Sequence, residues 1–411
     1  MRNEPSIYWM TVVFVVNGKG NFIVKGRNLL MIPGPIEFTP EVMASMAQPT
    51  TSHVAPDFIE CFGESLKMMR EVFLAPSAQP FILAGSGTLG MDAAVANLVE
   101  PGDRVLTVNS GYFSDRMGEI ARRYGADVQN VSAPVGDIPG PDEVREALAQ
   151  GDFQIVTITH VDTSTGVMAD VEGIASVAKE AGALVIVDGV CGTAGAECRT
   201  EDWRVDVHLT ASQKAIGVPP GLALLTVSPE AMERFNSRKT PVASYYSDFG
   251  KWLPIMEAYE GLGAAYFGTP AVNLVAALHT SLKQILAEGM EERFARHRRL
   301  ARAFRSGVAA LGLDLVVVRE ELAAPTLTAV YFPDGVGPEL VGEILSEGII
   351  TAGGLHPDIK QDYFRVGHMG AANPSDIIAT LAAIERGLSS LGYEFQKGAG
   401  VTAAQGVFCR A

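Results

Sequence analysis

The run Ala183-Leu184-Val185-Ile186-Val187, closed by Asp188, has no polar alternation. A strand with one wet face alternates apolar and polar residues, so this run must be buried on both faces. Comparable runs stand at Pro80–Ala84, Arg104–Val108, Ile155–Thr159, Val205–Thr210 and Leu222–Ser228. Helical spacing fills gaps between them at Thr88–Leu98, Asp115–Tyr124 and Val171–Ala181. Doubly buried strands separated by helices predict an α/β fold with a mainly parallel sheet covered on both sides.

Ala271–Glu291 and on through Gly307 reads as long helices, with charge clustered at Glu291–Arg302. Beyond them Leu313–Val318, Leu327–Phe332, Ile349–Ala352 and Tyr363–Val366 read as strands of a smaller α+β unit. The expected division is an extension over 1–28, a large domain over 29–290, a small C-terminal domain over 291–395, and a tail over 396–411. In the extension Ile7–Val16 reads as a strand or arm and Asn17–Asn21 as a turn. Leu29–Pro35 reads as an extended segment crossing another surface, because Pro33-Gly34-Pro35 stops its apolar run. The tail is rich in Gly and Ala and is expected to be loosely held.

A chain of 411 residues with 47% hydrophobic and 19% charged residues can build sizeable cores over two or three domains. Its formal charge of −15 argues against nonspecific contact with nucleic acid or an anionic membrane. A local positive pocket for a small anion remains compatible with that balance. Four cysteines without a C-x-x-C pair make neither a disulfide scaffold nor a zinc ribbon, and no metal is expected. A reducing compartment is the default, and Ile7–Val16 is too short to span a bilayer. The expected location is cytoplasmic, with peroxisome and mitochondrion left open.

Three features carry chemistry. Gly85-Ser86-Gly87-Thr88-Leu89-Gly90 follows a strand and opens a helix. Small residues and free N–H groups at a helix N-terminus suit an anion such as phosphate. A tight turn without ligand and a dinucleotide fingerprint are the other readings; for the latter, Glu100 or Asp103 would weakly supply the distal acid. Asp188 ends a buried parallel strand, where α/β folds place ligands. It could cap a helix, hold a metal or pair with a cationic ring nitrogen. Lys214, in Thr210-Ala211-Ser212-Gln213-Lys214, follows another strand among small and apolar neighbours. Desolvation there would make the neutral, nucleophilic amine accessible, although for a lone lysine a solvated loop residue is the better reading. Phosphate cradle, strand-end acid and strand-end lysine together match pyridoxal 5′-phosphate. A nicotinamide dehydrogenase needs neither of the last two. Phe113, just past a strand, could stack on a flat ring or fill core; His160 reads more readily as structural than as a general base. Arg365 in Tyr363-Phe364-Arg365-Val366 could clamp a carboxylate or be an exposed strand charge.

The segments Leu29–Pro35, Gly85–Gly90, His160–Gly166, Asp188, Ser212–Gly221 and Arg365–Gly370 together resemble the class V aminotransferases. The resemblance is to the branch holding alanine–glyoxylate, serine–glyoxylate and serine–pyruvate enzymes, and runs from about Leu29 to about residue 390. It implies a fold type I pyridoxal-phosphate transferase with a mainly parallel seven-stranded sheet. It implies Lys214 as the Schiff-base lysine and Asp188 as partner of the pyridinium nitrogen. Ser86, Gly87, Thr88 and Gln213 would hold the phosphate, Phe113 and Val190 the two ring faces, and Thr163 the ring-hydroxyl side. Tyr266 and Thr269 match positions that reach the neighbouring subunit's cofactor phosphate, which implies a homodimer. Arg365 would bind the substrate carboxylate, with the Gly34 backbone close to it.

Phe113 stands where the family often has tryptophan, and Thr88 where some relatives have histidine. The activity implied is ping-pong transamination from alanine or serine to glyoxylate. Other class V chemistry is the nearest alternative: serine–pyruvate or pyridoxamine–pyruvate transamination, or cysteine desulfuration, for which only Cys409 lies late in the chain. From other classes, a nicotinamide enzyme using Gly85–Gly90 or a non-catalytic binder competes. The binder should have lost Lys214 or Asp188, and both are present.

Overall fold

The computed structural model describes residues 14–16, 22–24 and 28–409. Seven strands form one sheet in the order Gln79–Ala84, Leu222–Val227, Val207–Ala211, Leu184–Asp188, Ile155–Thr159, Arg104–Asn109 and Asp127–Ser132. Leu222–Val227 pairs antiparallel on both sides, and the remaining pairings are parallel. The strand Leu184–Asp188 is buried throughout. Its Leu184 and Ile186 join the core on one side of the sheet, with Phe81, Val105 and Leu209. Val185 and Val187 join the other, with Leu106, Val156 and Ile158. That two-sided burial is what the missing polar alternation encodes.

Asp127–Ser132 is not recognisable as a strand from its residues. It is the sheet's edge, half-buried or exposed along its length, and its sequence DVQNVS is polar accordingly. The helix after Arg104–Asn109 begins at Tyr112 rather than Asp115.

The long helices are Val272–Glu288 and Met290–Ala310. A three-stranded antiparallel sheet follows, Leu327–Tyr331, Tyr363–Gly367 and Ala352–Gly353. The expected strand Ile349–Ala352 is split. Ile349–Ile350 pairs in parallel with Leu29–Leu30, so the segment before Pro33 is an added strand for the C-terminal region. The strand expected at Leu313–Val318 does not form. Leu315 makes one bridge to Val330, and then Val318 N turns away to donate to Gly136 O (3.0 Å). Phe14–Val16 pairs with Phe22–Val24 as an antiparallel ribbon. Residues 7–13 and the turn expected at Asn17–Asn21 lie outside the described residues.

The tail departs from expectation. Ala399–Phe408 is a helix packed along Met290–Ala310. A methyl group on Gly307 would stand 2.9 Å from Gly400 O, so small residues let the two backbones approach closely. Glu385, itself buried, accepts from Gly398 N (2.7 Å) and Val401 N (3.2 Å) at the start of this helix. Glu385→Ala should leave those N–H groups without their acceptor, at about 1–3 kcal/mol. Hydrogen exchange should then accelerate across 399–408 while the central sheet keeps its protection.

Candidate active site

Parallel strands deliver their carboxyl ends to one rim, where their side chains meet. The strand Gln79–Ala84 leads to Ser86, Arg104–Asn109 to Phe113, and Ile155–Thr159 to Thr163. Leu184–Asp188 ends on Asp188, and Val207–Ala211 leads to Lys214. These residues, with Gly87, Thr88, Val190 and Gln213, line one cavity of about 180 Å³.

At one end lies the N-terminus of helix Gly87–Leu98, and the Ser86 hydroxyl makes no capping bond there. The first N–H groups of a helix have no partner within it, so they face outward with the positive end of its dipole. A methyl group on Gly87 would stand 2.8 Å from Val190 Cγ2, so the turn needs glycine to pack this close. Gln213 Oε1 is buried without a partner among the described residues. Turning that amide end for end would put an NH₂ donor there in place of the unpartnered oxygen.

Asp188 is 2% exposed, and its Oδ1 accepts from Val190 N (2.9 Å). Burial pushes its carboxyl up to about 7, helped by Asp162 and opposed by Lys214 and Arg116. Such a desolvated carboxyl gains by meeting a cation, as a pyridinium would be. Lys214 is 9% exposed, and burial, with Arg365, lowers its pKa. Its Nζ donates to Pro33 O. A methyl group on Gly34 would stand 2.5 Å from Lys214 Cδ, at a residue whose φ of +102° also favours glycine. The lysine loop is fixed by Ser212 Oγ to Pro219 O (2.7 Å), Gly217 N to Lys214 O (2.8 Å) and Arg293 Nη2 to Ala215 O (2.6 Å).

Arg365 reaches this region from the C-terminal sheet. Its Nε donates to Gly353 O (2.8 Å) and its Nη1 to Thr163 O (3.1 Å). Tyr266 and Thr269 do not line the cavity, and Tyr266 is 65% exposed.

Several residues here escape a reading of the sequence. Asp162, fully buried, accepts from Phe113 N (3.1 Å) and from Ser164 N (2.8 Å) and Oγ (2.6 Å), pinning the turn that carries Phe113. Arg116 lines the cavity, as do Met91, Val161 and Cys191. Arg116 sits one turn after the singled-out Phe113, and that spacing was the available signal. The acids weighed for a dinucleotide are engaged elsewhere: Asp103 with Arg234 (2.6 Å), Glu100 with Lys239 N and Thr240. Cys409 lies at the far end of the C-terminal helix and does not line this cavity.

The family model for class V aminotransferases matches residues 38–369, and the chain belongs to that family. An alanine–glyoxylate aminotransferase of Saccharomyces cerevisiae is 39% identical over 362 residues, 85% of this chain and 93% of that protein. An L-aspartate–glyoxylate aminotransferase of Paracoccus denitrificans is 34% identical, covering 92% of this chain and 96% of its own length. The crystal structure of a ureidoglycine–glyoxylate aminotransferase from Bacillus subtilis superimposes with a TM-score of 0.88 at 28% identity, covering 94% of this chain and 99% of that one. The fold is therefore that of the fold type I enzymes, and family membership makes pyridoxal 5′-phosphate the cofactor. An anion end, a buried acid and a desolvated lysine in one cavity fit that group.

A carboxyl raised to about 7 binds its proton in the native state while the unfolded chain has lost it. Stability of the cofactor-free protein should therefore fall as pH rises between the unfolded carboxyl's value near 4 and about 7. The full effect is on the order of 4 kcal/mol. Asp188→Asn should remove that dependence. Urea unfolding of both cofactor-free proteins at pH 4.5 and about 7.5 checks it: the stability difference between them should change with pH.

Proposed function

We propose that the chain moves the amino group of a small L-amino acid, alanine or serine, to glyoxylate, giving glycine and a keto acid in a ping-pong sequence. The observation that carries this reading is the desolvated Lys214 amine in one cavity with Asp188, close to the Arg365 strand. The glyoxylate in the names of all three relatives supports that acceptor, while their donors differ.

When bound, pyridoxal phosphate supplies a carbonyl for amine attack and a ring that draws electrons from the donor's Cα. Lys214 Nζ would be the covalent anchor and, once displaced by the donor's amine, the base that takes the Cα proton and delivers it to the cofactor's carbon rather than back to Cα. Burial shifts that nitrogen toward its unprotonated form, the direction the role requires. Asp188 holds a proton on the ring nitrogen side, and the low-dielectric setting strengthens the pairing. Ser86, Gly87, Thr88 and Gln213 bind the phosphate; Phe113 and Val190 hold the ring faces, and Thr163 its hydroxyl side.

Arg365 orients the donor by its carboxylate, beside the Gly34 backbone. The cation makes no ion pair among the described residues, which suits it to a carboxylate that arrives with the substrate. We further propose a homodimer in which Tyr266 and Thr269 complete the partner's phosphate site. Their place outside their own cavity supports this, as do the exposed Met43, Val54, Tyr245 and Leu262. The division into a cofactor-binding part over 29–290 and a C-terminal part over 291–395 belongs to the same proposal. Among the described residues no helix is long and apolar enough to cross a membrane, and the four cysteines are free, which suits the cytoplasmic placement.

The test is an assay of purified protein with alanine, serine or aspartate against glyoxylate or pyruvate. Glycine formation from alanine or serine with glyoxylate is expected; activity confined to aspartate, or to pyruvate as acceptor, would refute the stated substrates. Lys214→Ala should lower turnover by about a thousandfold or more. Arg365→Ala should raise the donor KM about ten- to a hundredfold while cofactor occupancy holds. Equal loss of donor and cofactor would contradict the clamp.

A further inference from the structure

Two cations line the cavity, Lys214 and Arg116. Lys214 is the covalent anchor in the proposed reaction, and burial drives its amine toward the neutral form. The other groups at the helix end are neutral dipoles: the Ser86 hydroxyl, the first N–H groups of the helix and the Gln213 amide. The acids Asp188 and Asp162 are fully enclosed nearby. A phosphate monoester carries between about one and a half and two negative charges near neutral pH. In a chain of net charge −15, dipoles alone would leave that charge poorly balanced.

Arg116 stands where the balance is needed. Its Nη1 donates to Thr88 Oγ1 (3.1 Å), at the first turn of the helix whose N-terminus forms the anion end. Its guanidinium carbon lies 4.8 Å from the Phe113 ring centre and 5.1 Å from that of Tyr112. The guanidinium lies over both rings, which stand at 89° to each other, and its N–H edge remains open to acceptors. That edge makes one hydrogen bond among the described residues, to Thr88. Nor does any acid there pair with it: the adjacent Asp115 instead accepts from Asn109 Nδ2 (2.6 Å), and Glu119 pairs with Arg123 (2.5 Å).

We propose that Arg116 is the cation that binds the phosphate of pyridoxal phosphate, held on the rings of Phe113 and Tyr112 and aimed through Thr88. The proposal rests on the reading of the cavity as the cofactor site, and it adds a charge where that reading names only dipoles. It separates two jobs of one side chain: a wall behind Phe113 serves any ligand with the ring, whereas a counter-charge serves only a ligand with the phosphate.

The test reconstitutes the full-length protein with pyridoxal phosphate and, separately, with pyridoxal. Dissociation constants are read from the absorbance of the lysine-bound ligand, so no turnover is needed. In Arg116→Gln the preference for the phosphorylated ligand should shrink about ten- to a hundredfold, while the pyridoxal constant stays within about threefold of wild type. Arg116→Lys should keep most of the preference, since it keeps the charge. Arg116→Met, whose stem still packs on Phe113, carries the same expectation as the Gln variant if that one does not fold. An unchanged preference in both neutral variants, or equal weakening toward both ligands, would overturn the assignment. Failure of the wild type to bind pyridoxal phosphate at Lys214 would overturn the reading of the cavity itself, and this assignment with it.

Discussion

The site depends on taking an acid and an amine out of water side by side. Asp188 ends a strand buried on both faces, and Lys214 follows the adjacent strand, which pairs with it at Asp188 and Leu209. Each gives up most of its hydration, so burial moves both toward their neutral forms. In water the two would ionise and screen one another. Here they stay poised, and an electron-poor ring with its own charge can decide their state. The sheet supplies this by geometry alone, because parallel strands bring their carboxyl ends to the same rim.

One extended segment ties that rim to the rest of the chain. Leu29–Leu30 is a strand against Ile349–Ile350, and Gly367 N donates to Met31 O (2.9 Å). A few residues later Lys214 Nζ reaches Pro33 O, and Ile36 N donates to Gln213 O (3.2 Å). The segment therefore touches the lysine loop and the sheet bearing Arg365 within eight residues, Leu29 to Ile36. Gly34 at the middle leaves room for the lysine side chain, and the same residue lies where a bound carboxylate would be expected.

How much the sequence told depends on how a residue's neighbours constrain it. Doubly buried strands are legible because both faces demand apolar residues; Leu184–Asp188 is the clearest case. The edge strand Asp127–Ser132 is illegible for the converse reason, since half of its surface faces water and tolerates polar residues. The apolar stretch Leu313–Val318 misleads because the chain has a competing acceptor there, which Val318 finds in Gly136 O. The Gly- and Ala-rich tail reads as loose, yet those small residues are what allow its helix to lie against Met290–Ala310. At the site, Ser86, Asp188 and Lys214 are legible as strand-end residues with their own chemistry, whereas Gln213 is reached only through the family resemblance. Asp162 and Arg116 are not legible. Asp162 holds the Phe113 turn from 49 residues away in the chain, and Arg116 is marked only by its place one turn after Phe113.

The division of labour within the cavity bears on why related chains act on different donors. In the proposed reaction Lys214, Asp188 and Arg365 engage features common to every α-amino acid or to the cofactor: the Cα proton, the ring nitrogen, the carboxylate. None of them senses the donor's side chain. The relatives' donors include alanine, aspartate and ureidoglycine on one fold, which is what such a constellation permits. Discrimination among them must then arise from the apolar and small polar residues that finish the wall. Cys191 is one of these, buried and lining the same cavity as the strand-end acid and the lysine. Burial raises its thiol pKa, so it presents a compact neutral surface rather than a charge. A wall of that character accepts a methyl or hydroxymethyl group without an unpaired charge. A carboxylate side chain would need a cation beyond Arg365, and Arg116, at the helix end, is the arginine that lines the cavity itself. If the cofactor's phosphate occupies it, the donor side is left without a second positive charge, and small uncharged side chains become the better fit.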